Sequence, residues 1–370
     1  MDTVFMTLFW GVWTAYAYIL WRWGRVRLKV FHDSQGRGFP SVSVLIPARN
    51  EALHLSACLE SLLRQTHPPD EIIVIDDHSE DETHAIALRY ASAKVRALRL
   101  LPGQEGKKAA LRLGIETARG EVILTTDADT VHLPDTVEKM LRPFHCSGVQ
   151  VVGGWIRFPP LENWLIEFQR IELSGVLVLT AGSWQQGEPL TANGALLAYR
   201  RSAFEKVMGW GAAGAHPSGD DDLLVQRICL AFGPQALVFS EAVVQTQPAF
   251  TWRALVQQRL RWLSKRHLYP APWTKVGLGL LAGAQVCLVI ATLYKPAQAI
   301  WAWAILSSLQ AWIAWKGFSY TQSPPPKLKY WVVSALLYPF YQVVMLGWLL
   351  LRPGFEWKGR RYSESVAYLK

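Results

Sequence analysis

The sequence predicts an α/β domain with a mainly parallel sheet, set between apolar helices that cross a membrane. Three observations carry that reading. From Val42 to Thr126, short apolar, β-branched runs alternate with stretches of helical periodicity, the pattern of strands joined by right-handed helical crossovers. Long uncharged runs lie outside this region, at Val4 to Leu20 and from Val276 to Leu351, while the middle has the mixed composition of a water-facing domain. Lastly, the run Val122 to Thr126 ends abruptly in Asp127-Ala128-Asp129. In open α/β sheets ligands collect at the carboxyl ends of strands, so both carboxylates should face a crevice.

The bulk composition narrows the classes. The chain has 370 residues, 51% of them hydrophobic, and a net charge of +9. Much of that charge sits beside the apolar runs: Arg22, Arg25, Arg27 and Lys29, then Lys265 and Arg266, then Lys358, Arg360 and Arg361. Such placement suits cytoplasmic flanks and anionic lipid headgroups. No long basic stripe interleaves with aromatics in the central domain, so nucleic acid is not an expected partner. Cys58, Cys146, Cys229 and Cys287 form no C-x-x-C pair, which suggests neither a disulfide framework nor a zinc site and fits a reducing compartment. The first apolar run is too long and aromatic for a signal peptide and is read as a retained anchor.

Taken in order, Val4 to about Trp23 is a spanning helix whose basic flank places its end in the cytoplasm. Residues Phe31 to Pro40 form a Gly- and polar-rich linker, and Val42 to Ile46 a strand stopped by Pro47. A helix follows over Glu51 to Gln65, then a strand over Glu71 to Ile75 ending in Asp76-Asp77. Ser79 and Glu82 have capping-box spacing for a helix reaching about Ala93. A strand at Val95 to Leu101 and a helix at Lys107 to Ala118 lead into Val122 to Thr126, and Pro134 fits a further helical first turn. Beyond lie a strand at Val149 to Phe158, a long helix at Leu161 to Thr180, a short strand at Gly194 to Tyr199, and helices at Asp220 to Ala231 and Trp252 to His267. These divisions give an anchor with its basic flank at 1–30, a cytosolic domain at 31–270 and a membrane region at 271–370.

The membrane region raises a question of parity. Val276 to Tyr294 and Ala297 to Trp315 make a tight hairpin, and Trp331 to Leu351 is a third candidate span with Pro339 inside it. Three crossings would put the basic tail from Lys358 to Arg361 outside, against the positive-inside bias. A kinked, re-entrant or interfacial last segment would leave it in the cytoplasm.

Four further clusters join Asp127 and Asp129. Pro47-Ala48-Arg49-Asn50-Glu51 and Asp76-Asp77-His78-Ser79 end the first two strands, on the same sheet edge. Gly106-Lys107-Lys108 is a basic turn opening a helix, suited to phosphate. Ser218 to Asp222 is dense in carboxylates, and Gln258-Arg259-Leu260-Arg261-Trp262 sets a cation beside an aromatic. Each has a plain alternative. Asp77 and Ser79 also suit helix caps, Lys107 and Lys108 open water, Asp220 to Asp222 a helix N-terminus, and Arg253, Arg259, Arg261, Trp262, Lys265 and Arg266 a membrane surface. Two hard oxygen ligands at Asp127 and Asp129 suit Mg²⁺ or Mn²⁺.

Together the clusters resemble the family 2 glycosyltransferases of the GT-A fold, in the membrane-anchored branch with cellulose, chitin and hyaluronan synthases and many bacterial lipid glycosyltransferases. The resemblance runs from about Val42 to Trp262 and rests on Pro47-x-x-Asn50-Glu51, Asp76-Asp77-x-Ser79, Gly106-Lys107, Asp127-x-Asp129, Gly194 to Arg201, Asp220 and Gln258-x-x-Arg261-Trp262, in that order. It implies that Pro47, Asn50, Glu51 and Asp77 hold the uracil and ribose of a UDP-sugar, with Lys107 and Arg261 near its diphosphate. Asp127 would serve the nucleotide-sugar and Asp129 the Mg²⁺ or Mn²⁺. Asp220 would be the general base with Asp222 in reserve, and Gln258 and Trp262 would meet the acceptor. Three departures stand out: His78 where Gly is usual, Arg112 where Asn is frequent, and Gly219 in place of the Glu of a Thr-Glu-Asp motif.

The implied activity is inverting, metal-dependent transfer of a sugar to a lipid-linked or glycan acceptor at the cytoplasmic face of a bacterial cell membrane. One base and no protein nucleophile give a single displacement. The short membrane region argues for single transfer to a lipid; the Gln-x-x-Arg-Trp segment argues for a processive polysaccharide synthase. A scaffold that only binds nucleotide-sugar is the third reading.

Overall fold

The computed structural model describes residues 2–29, 31, 38–351 and 354–363; most of the expected linker lies outside them. After helix α1 (Asp2–Gly24) come β1 (Val42–Ala48), α2 (Leu55–Leu63), β2 (Glu71–Asp76), α3 (Thr83–Arg89), β3 (Val95–Arg99), α4 (Lys107–Thr117) and β4 (Val122–Thr125). Next are β5 (Val131–His132), α5 (Thr136–Leu141), β6 (Val151–Arg157), α6 (Trp164–Gln185), β7 (Leu197–Arg200), α7 (Arg201–Lys206), α8 (Asp222–Phe232), β8 (Leu237–Gln245) and α9 (Trp252–Ser264). Helices α10 (Pro272–Tyr294), α11 (Pro296–Tyr320) and α12 (Leu328–Leu351) follow, then the strands β9 (Gly354–Trp357) and β10 (Arg360–Ser363).

The first eight strands form one sheet in the order β3-β2-β1-β4-β7-β6-β8-β5. The β3-β2-β1-β4 half is wholly parallel, whereas β7 and β5 run antiparallel to their neighbours. The sheet is therefore mixed and mainly parallel, as expected. Strands β1, β2 and β4 are buried almost throughout, which is why they read as continuous apolar runs.

Several local expectations change. Pro47 does not stop β1 but lies within it, in register with Ile75. Its missing N–H faces the β4 side, where the ladder has already ended at Leu45 opposite Thr125. The Ser79–Glu82 capping box does not form. Ser79 Oγ accepts the Asn50 N–H at 3.0 Å, and Asp81 Oδ1 accepts the Thr83 N–H at 3.0 Å. Strands β5 and β8 and the β9–β10 hairpin were not expected. Helix α12 runs through Pro339 without interruption.

Among the described residues, α10 and α12 are long and apolar enough to cross a membrane. Helices α1 and α11, expected to span as well, miss that measure, and both carry Trp, Tyr and polar side chains where a purely aliphatic span would not. All four helices pack on one another or on α6. The approach of α1 to α6 is close: a Cβ added to Gly182 would lie 1.8 Å from the Trp23 carbonyl oxygen, so only glycine admits it. Helix α12 touches the α/β domain at both ends. Lys327, just before it, pairs with Glu162, and the hairpin after it rests on α9 and the ends of β1 and β2.

Candidate active site

The parallel strands deliver their carboxyl ends to one edge, and the turns there are stitched together by side chains. Arg49 Nη1 donates to the Asp77 and His78 carbonyls at 2.9 and 2.7 Å. Asn50 Oδ1 accepts the Glu80 N–H at 2.9 Å. Asn50 and His78 both take φ of 53°, a left-handed geometry that explains why glycine suits position 78; here His78 Nε2 lies 2.9 Å from the Gln104 carbonyl oxygen.

A cavity of about 280 Å³ opens at this edge. Pro47, Glu51, Asp77, Lys107, Asp127, Asp129, Asp220, Gln258, Arg261 and Trp262 all line it, from segments far apart in sequence. Asn50 and Asp222 are not on its wall. Asn50 holds the turn instead, and Asp222 is completely buried, accepting from Lys265 Nζ at 2.7 Å and Tyr269 Oη at 2.9 Å.

Lys107 is the centre of the polar wall. Its Nζ lies 2.7 Å from Asp127 Oδ1 and 3.1 Å from Asp220 Oδ2. Burial opposes its charge, yet Asp127, Asp220 and Asp221 hold its pKa well above the ordinary lysine value. Its neighbour Lys108 turns away and donates to the Ala213 carbonyl at 2.7 Å; burial lowers that ammonium to about 8. Asp220 is presented by Gly219 at φ 86°, a backbone geometry that a glutamate at this position would adopt only under strain. Next to it, Asp221 accepts the Gly194 N–H at 3.0 Å and Lys265 at 3.3 Å. Burial drives Asp222 upward in pKa, while Lys265, Lys107 and the Asp222 N–H outweigh burial and hold Asp221 down.

Asp129 has burial and the adjacent Asp127 raising its pKa, against a hydrogen bond with Thr246. Burial likewise raises Glu51 to about 7, with Asp129 and Asp127 adding to it and Lys358 opposing. Glu51 and Asp127 have lysine partners, Lys358 and Lys107, while Asp129 feels the negative charge of Asp127 beside it, a corner where a divalent cation would be favoured. No group of three or more His, Cys, Asp or Glu suited to a metal occurs among the described residues. A cation at this corner would be held by one or two carboxylates and would take its other ligands from phosphate and water.

Helix α9 closes the cavity with Gln258, Arg261 and Trp262. Arg261 stands 5.4 Å over the Trp357 ring, and its buried Nε has no hydrogen-bond partner, leaving a donor available to an anion. Two cations expected at the membrane surface are inside instead. Arg259 pairs with Glu172 on α6 at 2.5 Å and lies 4.2 Å over the Trp262 ring, and Lys265 pairs with Asp221 and Asp222. Ile156, Phe158, Leu173, Val176, Leu177 and Phe239 give the cavity an apolar part to its wall.

The sequence reading missed Tyr269 and Trp357, named Arg49 only as part of the first-strand cluster, and assigned Lys358 and Arg360 to a lipid surface. In the structure Lys358 Nζ is 2.6 Å from Glu51 Oε1, and Arg360 grips Asp77 through both Nη1 and Nη2, at 2.6 and 3.0 Å. The demand that this tail lie on the domain's side was the signal that could have found them.

A curled mixed sheet with paired aspartates at its strand ends defines the GT-A class of nucleotide-sugar enzymes. Residues 43–208 match the family model described as Glycosyl transferase family 2, and the chain carries a glycosyltransferase domain of that family. Over 237 residues it is 30% identical to the Probable glycosyltransferase YdaM of Bacillus subtilis, covering 60% of this chain and 54% of that one. Over 273 residues it is 25% identical to the poly-beta-1,6-N-acetyl-D-glucosamine synthase of Staphylococcus epidermidis, covering 71% and 63%. The chain thus spans about half to two thirds of these relatives. A solved mannosyltransferase of Pyrobaculum calidifontis, in complex with GDP-Man and Mn²⁺, has the same fold over 92% of this chain and 97% of its own, with a TM-score of 0.55 and 20% identity.

Proposed function

We propose that the protein is an inverting, metal-dependent glycosyltransferase that moves a sugar from a nucleotide-diphosphate sugar, UDP-linked by preference, to a lipid-linked acceptor at the cytoplasmic face of the cell membrane. The observation that carries this is the placement of Lys107 between Asp127 and Asp220 on a cavity whose wall has both charged and apolar residues. Asp77, Pro47 and Glu51 would hold the nucleoside, while Lys107 and the open Nε of Arg261 would meet the diphosphate as its charge grows on leaving. Asp129, with Asp127 beside it, would hold Mg²⁺ or Mn²⁺, which when bound neutralises charge on that diphosphate; the mannosyltransferase solved with Mn²⁺ supports a divalent ion.

Asp220 would take the acceptor hydroxyl proton as the oxygen attacks the anomeric carbon and the nucleotide leaves from the opposite face. We read a single displacement by the acceptor oxygen, so that the bond to the donor breaks once and its configuration inverts. Asp222, enclosed by Lys265 and Tyr269, would support the Asp220 loop. The apolar wall, formed partly by α6 beside α1 and α11, supports an acceptor with a hydrocarbon portion, met by Gln258 and Trp262 at its polar end. Helix α12, held by the domain at both ends, supports an interfacial course that leaves the tail cytoplasmic and the protein anchored by its other apolar helices.

A processive polysaccharide synthase is the second reading, favoured by the similarity to the poly-N-acetylglucosamine synthase. The decisive experiment incubates the purified protein with labelled nucleotide-sugars, Mn²⁺ or Mg²⁺ and membrane lipid extract. A single labelled lipid product is expected. A polymer would select the second reading, and no metal-dependent transfer with any donor would reject both.

A further inference from the structure

The segment 186–195 joins the apolar helices to the polar wall of the cavity. Its first half is held from three sides. On α6, Ser183 Oγ accepts the Leu190 N–H at 3.1 Å, and Trp184 Nε1 donates to the Thr191 carbonyl at 2.8 Å. From the first turn of α10, Thr274 Oγ1 donates to the Pro189 carbonyl at 3.3 Å. From the last turn of α1, Arg22 forks onto Glu188: Nη1 lies 3.0 and 2.9 Å from its two carboxylate oxygens, and Nη2 3.0 Å from Oε1. Arg22 Nη2 also reaches Gln186 Oε1 at 3.2 Å, and Trp23 Nε1 donates to Glu188 Oε2 at 3.2 Å.

The second half runs along the cavity. Thr191, Ala192, Asn193 and Gly194 line it, and the Ala195 carbonyl accepts from Thr126 Oγ1 at 2.9 Å, next to Asp127. The Gly194 N–H donates to Asp221 Oδ2 at 3.0 Å. A Cβ added to Gly194 would stand 2.9 Å from Lys107 Nζ and 3.0 Å from Asp220 Oδ2, so this backbone sets the room in which that pair meets. Only the link 189–193 separates Glu188 from Gly194, and Pro189 fixes one of its torsions. A shift at Glu188 therefore passes to Gly194 with few torsions to absorb it. Arg22 and Glu188 are each about a third exposed, where a simple ion pair contributes little; the fork and the Trp23 donor give this one its direction.

We propose that Arg22 is a positioning residue for sugar transfer: through Glu188 it fixes the link 189–193, and so the spacing of Gly194 against Lys107 and Asp220. The proposal rests on reading Lys107 and Asp220 as the groups that meet the diphosphate and the acceptor hydroxyl. Helix α1 is then part of the reacting geometry.

The test uses the full chain in detergent with Mn²⁺, membrane lipid extract and a panel of labelled UDP- and GDP-sugars. It reads turnover at saturating donor, affinity for UDP and GDP, and thermal midpoint. Arg22→Ala should lower turnover about tenfold, short of the about hundredfold that an ångström of misplacement can cost, with nucleotide affinity within about twofold. Glu188→Gln keeps the side-chain shape, breaks the same fork and should lower turnover by a like factor. The double variant should fall no further than either single one, because both remove one contact. Arg22→Glu combined with Glu188→Arg should regain part of the wild-type rate. Unchanged turnover in both single variants would overturn the proposal, as would losses that add in the double variant or that follow a lowered thermal midpoint. No metal-dependent transfer by the wild type with any donor would reject the transferase reading itself, and the proposal with it.

Discussion

The polar and apolar walls of the cavity are built on opposite principles. On the polar wall, carboxylates and cations from six segments pair within hydrogen-bond distance, and each geometry depends on its neighbours: Lys107 on Asp127 and Asp220, Arg360 on Asp77, Lys265 on Asp221 and Asp222. On the apolar wall, Ile156, Phe158, Leu173, Val176, Leu177 and Phe239 present shape and little direction. Directional contacts can act on one reacting atom, whereas an apolar wall sorts ligands by surface and tolerates variation. Substitutions on the two walls should therefore fail differently, one in turnover and the other in acceptor affinity.

The largest effect is expected for Asp220→Asn, which keeps the shape of the polar wall and removes the base. Transfer should fall about 10³-fold while UDP affinity stays within about twofold. A near-normal rate would move the base away from Asp220. Lys107→Ala comes next: loss of the cation shared by two carboxylates should cost about 10²-fold in turnover, with weaker donor binding. Chelation of divalent ions should also stop transfer, and Mn²⁺ or Mg²⁺ should restore it, but not in Asp129→Ala. On the other side, Val176→Asp should raise the acceptor KM about tenfold, since a carboxylate on an apolar wall opposes burial of a hydrocarbon chain, and should leave metal-dependent hydrolysis of the donor unchanged. A loss of turnover instead would erase the distinction between the walls.

The smallest effect concerns pH. Glu51 is raised from its usual 4.5 to about 7, chiefly by burial. The fold thus favours its neutral form, and that stabilisation, fully present below about 4.5, is lost as pH rises through 7. In metal-free protein, Glu51→Gln should have a thermal midpoint that gains on the wild type between pH 5 and pH 8. A constant difference would show that Lys358 fully offsets the burial.

The parallel half of the sheet was legible because strands buried on both faces are written as unbroken apolar runs with carboxylates at their ends. Strand β8 was not, because Glu241 interrupts its apolar run and its partner β5 is two residues long. Residue types marked the site, but not their direction. Asp220 and Asp222 read alike in sequence, yet one precedes α8 on a left-handed glycine and the other opens the helix facing Lys265. Lys265 and Arg259 looked like surface cations because a charge in sequence carries no record of its partner. For Arg360 that partner is Asp77, 283 residues away.

Helix α6 puts the proposed division at residues 31 and 270 in another light. One side of this 22-residue helix supplies Leu173, Val176 and Leu177 to the cavity. Other positions receive α1 at Gly182 and α11 at Ser174, against which Gly317 packs. Excising 31–270 as a fragment would therefore strip the cover from a helix that also shapes the reaction chamber. The α/β domain and the flanking apolar helices share one buried core, so the proposed chemistry is best assayed in the whole chain, in detergent or bilayer.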